Sequence, residues 1–269
     1  MTTGMGETQI EFGFACDAGR KRAGEPNQDA LEVVLPACDE RWHPPLLLVA
    51  DGLGKYAGGS LASQLVVKIF KQDFKQARHP TDYLNLLEKC VQAAHQEIRA
   101  QGATDPKLAF MGSTVVAVTL YDEQLYLLNI GDSRAYIMRN RKVLQVSQDQ
   151  SWVAAQVRAG VLTKQEGDAH PSRSRLTMAI TAKRSEIKSH RTVEKLEPND
   201  TILLCSDGLW GVIPETLIYA AATELLPQIA ADKLVALANQ SSGPDNIAVI
   251  VARQISFRAK KHCFGTSKD

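Results

Sequence analysis

Cysteine is scarce and scattered in this 269-residue chain. Cys16, Cys38, Cys90, Cys205 and Cys263 form no Cys-x-x-Cys pair, which argues against a disulfide framework or a thiolate zinc site and for a reducing, cytoplasmic setting. Net charge is nearly absent, at +1, so no global field draws the chain to nucleic acid or to an anionic membrane. No apolar run approaches the roughly 20 residues of a membrane span, and residues 1–8 lack the basic-then-apolar pattern of a secretory signal. His43, His79, His95, His170, His190 and His262 show no metal-binding spacing. A Gly-x-x-x-x-Gly-Lys-Ser/Thr loop, a Gly-x-Ser-x-Gly elbow and a Cys-x5-Arg loop are all missing, so P-loop nucleotide hydrolysis and covalent nucleophilic catalysis have no evident actor. With no repeat, low-complexity stretch or Pro/Gly/Ser linker, one domain over 1–257 is expected, followed by a loose tail over 258–269.

What is present is a set of aspartates at the ends of apolar runs. Leu46-Leu47-Leu48-Val49-Ala50 leads into Asp51-Gly52, and Thr201-Ile202-Leu203-Leu204-Cys205-Ser206 leads into Asp207-Gly208. Asp245-Asn246 precedes Ile247-Ala248-Val249-Ile250-Val251. A carboxylate at the end of a buried strand is costly unless a positive charge meets it, and no run of Arg or Lys stands beside these three. Oxygen ligands for a divalent cation are the reading that accounts for all of them together. Each also has a plain alternative: a helix cap for Asp51, a turn for Asp207 and an Asx turn for Asp245. Asp132, in Gly131-Asp132-Ser133-Arg134, reads as a hairpin aspartate paired with Arg134 or as an accessory metal contact. Cys205 reads as a small core residue, and His95 as packed on a helix. The basic loop Ser172-Arg173-Ser174-Arg175 is either a solvated surface or a place to meet a phosphate.

Hydrophobic periodicity predicts strands over 8–12 (an edge strand), 30–35, 46–50, 115–120, 124–130, 133–139, 142–146, 187–193, 201–205 and 247–254. Helices are expected over 59–71, 81–101, 151–159, 214–222 and 230–240. Strands arrive as hairpins and the two long helices are consecutive, which fits a layered α+β domain with antiparallel sheets better than an alternating parallel one.

Taken in order, these segments resemble the metal-dependent protein phosphatase 2C family in its compact bacterial form. The resemblance runs from Asp17-Ala18-Gly19-Arg20 and Asn27-Gln28-Asp29 through Val49-Ala50-Asp51-Gly52-Leu53-Gly54, Gly112-Ser113-Thr114 and Asn129-Ile130-Gly131-Asp132-Ser133-Arg134-Ala135-Tyr136. It continues through Asp149-Gln150-Ser151 to Ser206-Asp207-Gly208-Leu209-Trp210 and Gly243-Pro244-Asp245-Asn246-Ile247. It implies an α-β-β-α sandwich of two antiparallel sheets flanked by helix pairs. It implies two Mn2+ or Mg2+ ions, with a weaker third, and hydrolysis of phosphoserine and phosphothreonine by direct attack of a metal-bridging water. In that pattern Asp51 bridges the metals with help from the Gly52 carbonyl, and Asp207 and Asp245 bind the first. Asp29 holds metal-bound water, Asp132 marks the third ion, and Arg20 or Arg22 clamps the phosphate. Residues 148–180 match a variable flap. Phosphorylated proteins are the implied substrates, a cognate Ser/Thr kinase the implied antagonist, and a monomer the expected state.

The chain departs from the family pattern in four places. Gln28 stands where Glu is common, and Leu53-Gly54-Lys55-Tyr56 replaces Met-Gly-Gly-His. The spacing between the arginines and Asn27 is long, and Gly211 replaces a further aspartate. The Lys55 and Tyr56 changes motivate an alternative, a weakly active or inactive regulatory binding module; retention of Asp51, Asp207 and Asp245 favours an enzyme.

Overall fold

Continuous burial along the central strands sets the layers. The computed structural model describes residues 2–5, 8–35, 44–54, 58–77, 80 and 82–257. The chain runs through β1 (Thr2–Met5), β2 (Thr8–Asp17), β3 (Asp29–Val34) and β4 (Leu46–Leu53), then α1 (Gly58–Gln76) and α2 (Tyr83–Thr104). After β5 (Gly112–Ser113) come β6 (Val115–Tyr121), β7 (Gln124–Ile130), β8 (Arg134–Arg139) and β9 (Lys142–Gln145). The flap carries α3 (Trp152–Arg158) and α4 (Lys164–Asp168). It leads to β10 (Ile180–Thr181), β11 (His190–Lys195), β12 (Thr201–Cys205), α5 (Asp207–Trp210), α6 (Glu215–Glu224), α7 (Pro227–Gln240) and β13 (Ile247–Phe257).

One antiparallel sheet has the order β1-β2-β13-β12-β8-β9; the other runs β10-β5-β4-β6-β7-β11, with β3 also on β4. Leu47 and Val49 of β4 pack between the sheets with Ile202 and Leu204 of β12 and Ala248 and Ile250 of β13. Their neighbours point the other way. Leu46, Leu48 and Ala50 meet Val66, Phe70 and Phe74 of α1 and Leu87, Val91 and Ile98 of α2. Leu203, Cys205, Val249 and Val251 meet Ile218 of α6 and Ala230 and Leu234 of α7. Successive strand residues face opposite layers, so strands apolar on every residue demand a helix layer outside each sheet. The result is the α-β-β-α sandwich. At roughly 1.5–3 kcal/mol per fully buried large apolar side chain, these three cores dominate the stability.

Four local expectations are corrected. Strand β2 extends to Asp17 and is not an edge, because β13 pairs with it along its whole length and β1 covers its other side. The segment 131–134 is not a hairpin: β7 and β8 belong to different sheets, and Gly131, at φ 98°, turns the chain from one sheet to the other. Strand β11 starts at His190, since Ile187 is drawn into the helix-side core instead. Helix α7 starts earlier than expected, at Pro227, whose fixed φ suits the first helical position. The two short hairpins fall where expected, across Asp122-Glu123 and Asn140-Arg141, all four residues having φ between 49° and 62° as a primed turn requires. The tail expected over 258–269, the Lys55 and Tyr56 departures, Cys38, Cys263, His43, His79 and His262 lie outside the described residues.

Candidate metal centre

The strand pairing itself gathers the aspartates. Asp29 opens β3 directly opposite Asp51 of β4. Asp51 stays within its strand rather than capping a helix: its N–H donates to Thr114 Oγ1 at 3.0 Å, and its carbonyl accepts from Thr114 N at 2.8 Å. Asp207 follows β12 and starts α5, and Asp245 lies two residues before β13, the neighbour of β12. Asp132 sits on the link between the sheets. Glycines let the backbones close up here, since a Cβ on Gly52 would overlap the Gly59 carbonyl and one on Gly208 the Asn246 carbonyl.

The electrostatics record how close these groups are. Burial pushes the Asp51 carboxyl well above the usual range, and the charges of Asp29, Asp207, Asp132 and Asp245 push it further. Asp29 is raised to about 8, first by burial and then by Asp207 and Asp245, against the opposing hydrogen bond from Ser206 and the charge of Arg22. Asp207 is raised to about 6 by burial and by Asp245, with Arg22 and Arg173 opposing. Burial and the charges of Asp207 and Asp149 raise Asp132 well above its ordinary value. Asp29 and Asp132 are buried, whereas Asp51, Asp207 and Asp245 keep part of their surface open, which leaves the cluster reachable from solvent.

Only one cation touches these five carboxylates among the described residues: Arg22, whose Nε lies 3.0 Å from Asp245 Oδ1. The sequence left Arg20 and Arg22 as equal candidates, and the structure separates them. Arg22 faces the cluster and its charge reaches Asp29 and Asp207. Arg20 is exposed and anchored through its backbone N–H to Asn239 Oδ1 at 3.0 Å. The pairing expected between Asp132 and Arg134 is also corrected. Arg134 forks instead onto Asp149, at 2.6 Å and 3.0 Å to Oδ2, and stacks 3.5 Å over the Trp210 ring. The Asp132 carboxyl therefore stays with the cluster, while its carbonyl accepts from Trp210 Nε1 at 3.1 Å.

The donor set suits hard divalent cations, with five carboxylates, no His or Cys among them, and Arg22 as the one cation in contact with them among the described residues. The fit lies in chemistry and charge and not in a preformed cage. No three acidic, His or Cys side chains stand in ligand geometry among the described residues; Arg22 holds Asp245, and Ser206 Oγ donates to Asp29 Oδ2 at 2.6 Å.

Two positioning residues were not singled out by sequence reasoning. Ser206 accepts from Ala248 N at 2.9 Å while donating to Asp29, and so stitches β12, β13 and β3 together. Asn246 accepts from Gln28 N at 2.9 Å and donates to Ala18 O at 2.7 Å, tying the arginine-bearing loop to the start of β13. Their adjacency to Asp207 and Asp245 was the available signal. Cys205 is a core residue, its thiol pushed up by burial. His95 is packed, with Nε2 3.0 Å from Arg184 O.

Comparison with known proteins agrees with the fold. The family described as protein phosphatase 2C matches residues 16–238. The serine/threonine protein phosphatase PstP of Mycobacterium tuberculosis is 35% identical over 214 residues, which cover 79% of this chain and 41% of that protein; the chain thus spans less than half of that relative's length. Protein phosphatase PhpP of Streptococcus pneumoniae is 31% identical, with 89% of this chain and 96% of that protein covered. The crystal structure of the PstP catalytic domain in complex with two manganese ions superposes with a TM-score of 0.80 at 31% identity, covering 92% of this chain and 99% of that one.

Proposed function

The chain belongs to the protein phosphatase 2C family, and from that premise we propose that it is a serine/threonine protein phosphatase working with two Mn2+ or Mg2+ ions. The observation that carries the reading is the gathering, from both sheets, of five aspartates of which Asp245 alone is paired with a cation among the described residues. Bound there, a pair of divalent cations supplies an activated water and neutralises charge on the transferring phosphoryl group.

In this reading the chain's own residues divide the remaining work. Asp51 and the Gly52 carbonyl, with Asp207 and Asp245, are the holding ligands, and Asp132 serves a weaker third ion. Asp29 is fixed by Ser206 through one oxygen, which leaves the other to orient water. Arg22, not Arg20, offers paired N–H donors to the substrate phosphate; its position on Asp245 supports this assignment. No side chain has to become a covalent nucleophile. The substrates are phosphorylated proteins and the antagonist is a cognate Ser/Thr kinase. The unit is one domain over 1–257, monomeric and cytoplasmic. The free thiols of Cys16, Cys90 and Cys205 fit that compartment, and no described helix is long and apolar enough to cross a membrane.

The test is phosphate release from a phosphothreonine peptide in EDTA, Mg2+ or Mn2+, for the native chain and Asp207→Asn. Turnover that needs metal and is lost in the variant supports the reading. A folded native chain that is inert with every metal overturns it in favour of a binding module.

A further inference from the structure

The flap encloses space that the carboxylate cluster does not use. A cavity of about 670 Å3 lies between α3 and α4 on one side and β8, β9 and the α5–α6 turn on the other, within the roughly 300–1,000 Å3 of ligand sites. Apolar wall comes from Val157 of α3 and from Ile213 beside α6; charged wall comes from Arg134, Arg158, Lys164 and Arg173 and from Asp149, Asp168 and Glu215. Three of these cations are already committed, Arg134 to Asp149. Arg158 Nη1 donates to Asp149 O at 2.9 Å, and Lys164 Nζ pairs with Glu215 at 3.1 Å. The Arg173 side chain makes no hydrogen bond or ion pair among the described residues, and it is exposed.

Cavity and cluster share a boundary at two residues. Trp210 lines the cavity and donates to the Asp132 carbonyl. Arg173 lines the cavity and its charge reaches Asp207. A phosphorylated side chain at the cluster therefore has its own main chain at the cavity mouth. The volume far exceeds what a phosphoryl group fills, and the one uncommitted guanidinium calls for an anion beside an apolar surface.

We propose that this cavity is the subsite for the protein segment flanking the phosphorylated residue, taking an apolar side chain against Val157 and Ile213 and an acidic one at Arg173. The proposal rests on the phosphatase reading above and gives it a substrate class: phosphoproteins with an apolar and an acidic residue on the same side of the phosphorylation site. It also separates Arg173 from Arg175, which the sequence presents as equivalent. Arg175 is not part of the cavity wall and contributes its carbonyl to Trp152 N at 2.8 Å.

The experiment measures kcat/KM with Mn2+ for p-nitrophenyl phosphate, for a phosphothreonine peptide flanked by Gly and Ser, and for peptides carrying Leu and Glu on either side. The native chain should prefer one Leu/Glu peptide over the Gly/Ser peptide by about tenfold, the scale of an apolar pocket's discrimination. Val157→Trp, which narrows the cavity, and Arg173→Gln, which removes the cation without placing a new negative charge beside Asp207, should each remove most of that preference. Both should lower peptide turnover far more than turnover of p-nitrophenyl phosphate. No preference on either side, or equal losses on all three probes, overturns the proposal. Failure of the native chain to hydrolyse p-nitrophenyl phosphate with either metal instead sinks the phosphatase reading, and this inference with it.

Discussion

Two pairs of aspartates are buried to the same depth and treated in opposite ways. Asp149 and Asp200 are 8% and 1% exposed; Asp29 and Asp132 are 7% and 5% exposed. Each of the first pair receives a forked guanidinium, Arg134 on Asp149 and Arg139 on Asp200. Arg139 also reaches Glu197 at 2.9 Å and Lys195 O at 2.7 Å, and Glu197 N donates to Asp200 at 2.8 Å. Neither of the second pair has such a fork, and like charge is added instead, by Asp207 and Asp245 at Asp29 and by Asp207 and Asp149 at Asp132. Depth of burial is thus not what marks the site. Burial without a matching cation marks it, because an unpaired buried charge is a standing cost that a proton or a cationic ligand must remove.

The largest expected effect comes from altering the uncompensated group. Asp51→Asn should lower kcat/KM for p-nitrophenyl phosphate at least 10³-fold, about 4 kcal/mol of transition-state stabilisation. The same change should raise the melting temperature of the EDTA-treated protein, since an amide removes the cost of burying, beside like charges, a carboxyl whose pKa is raised well above its ordinary value. Mn2+ at about 100 times its Kd should stabilise the native protein by about 2.7 kcal/mol and the variant by much less. A variant that melts lower than the native chain in EDTA and keeps its Mn2+ response would place Asp51 in a structural role and erase the contrast.

The mirror experiment removes a compensated group. Asp200→Asn leaves Arg139 beside a neutral amide. Breaking a buried pair from one side costs about 3–5 kcal/mol, and we discount this to about 2–3 kcal/mol because Arg139 keeps 21% of its side chain exposed. The melting temperature should fall by about 4–12 °C while metal response and turnover, measured well below the transition, stay native. Stability loss with activity kept is the reverse of the Asp51 result. Two variants behaving alike would mean that matching cations do not distinguish the two regions.

The same contrast explains what the sequence could reveal. Continuous apolar runs that end in Asp51 and Asp207 or begin just after Asp245 were readable because the signal is local, and their shared layer followed from the strands being buried on both faces. Which aspartates had partners was not readable. Arg139 and Asp200 are 61 positions apart, and Ser206 and Asp29 are 177 apart. Arg134 looked like the partner of Asp132 two residues away, yet the change of sheet at Gly131 carries it to Asp149. Helix α5 is a single turn with no apolar period of its own to detect. The flap cavity is a space between elements, and no residue pattern encodes a space.

A third treatment of a buried titratable group gives the smallest and most selective prediction. His95 is 3% exposed on the inner face of α2, and it is kept neutral rather than paired or left to a ligand. Burial lowers its pKa, the charge of Arg99 lowers it further, and the carbonyls of Arg184 and Thr181 oppose the shift. Nε2–H donates to Arg184 O at 3.0 Å. The unfolded histidine takes a proton near pH 6.5, whereas the folded one resists until a lower pH. The stabilising contribution of the neutral ring is therefore complete above about pH 6.5 and is lost as pH falls through the folded pKa. His95→Gln retains an N–H donor and cannot titrate. The native melting temperature minus that of the variant should shrink as pH is lowered from 7.5 to 5.5, in saturating Mn2+ so that the aspartates contribute equally to both. His190, whose pKa burial also lowers, cancels in the same difference. A difference that stays constant across that range would show that His95 does not titrate on unfolding, and that its neutrality costs the fold nothing.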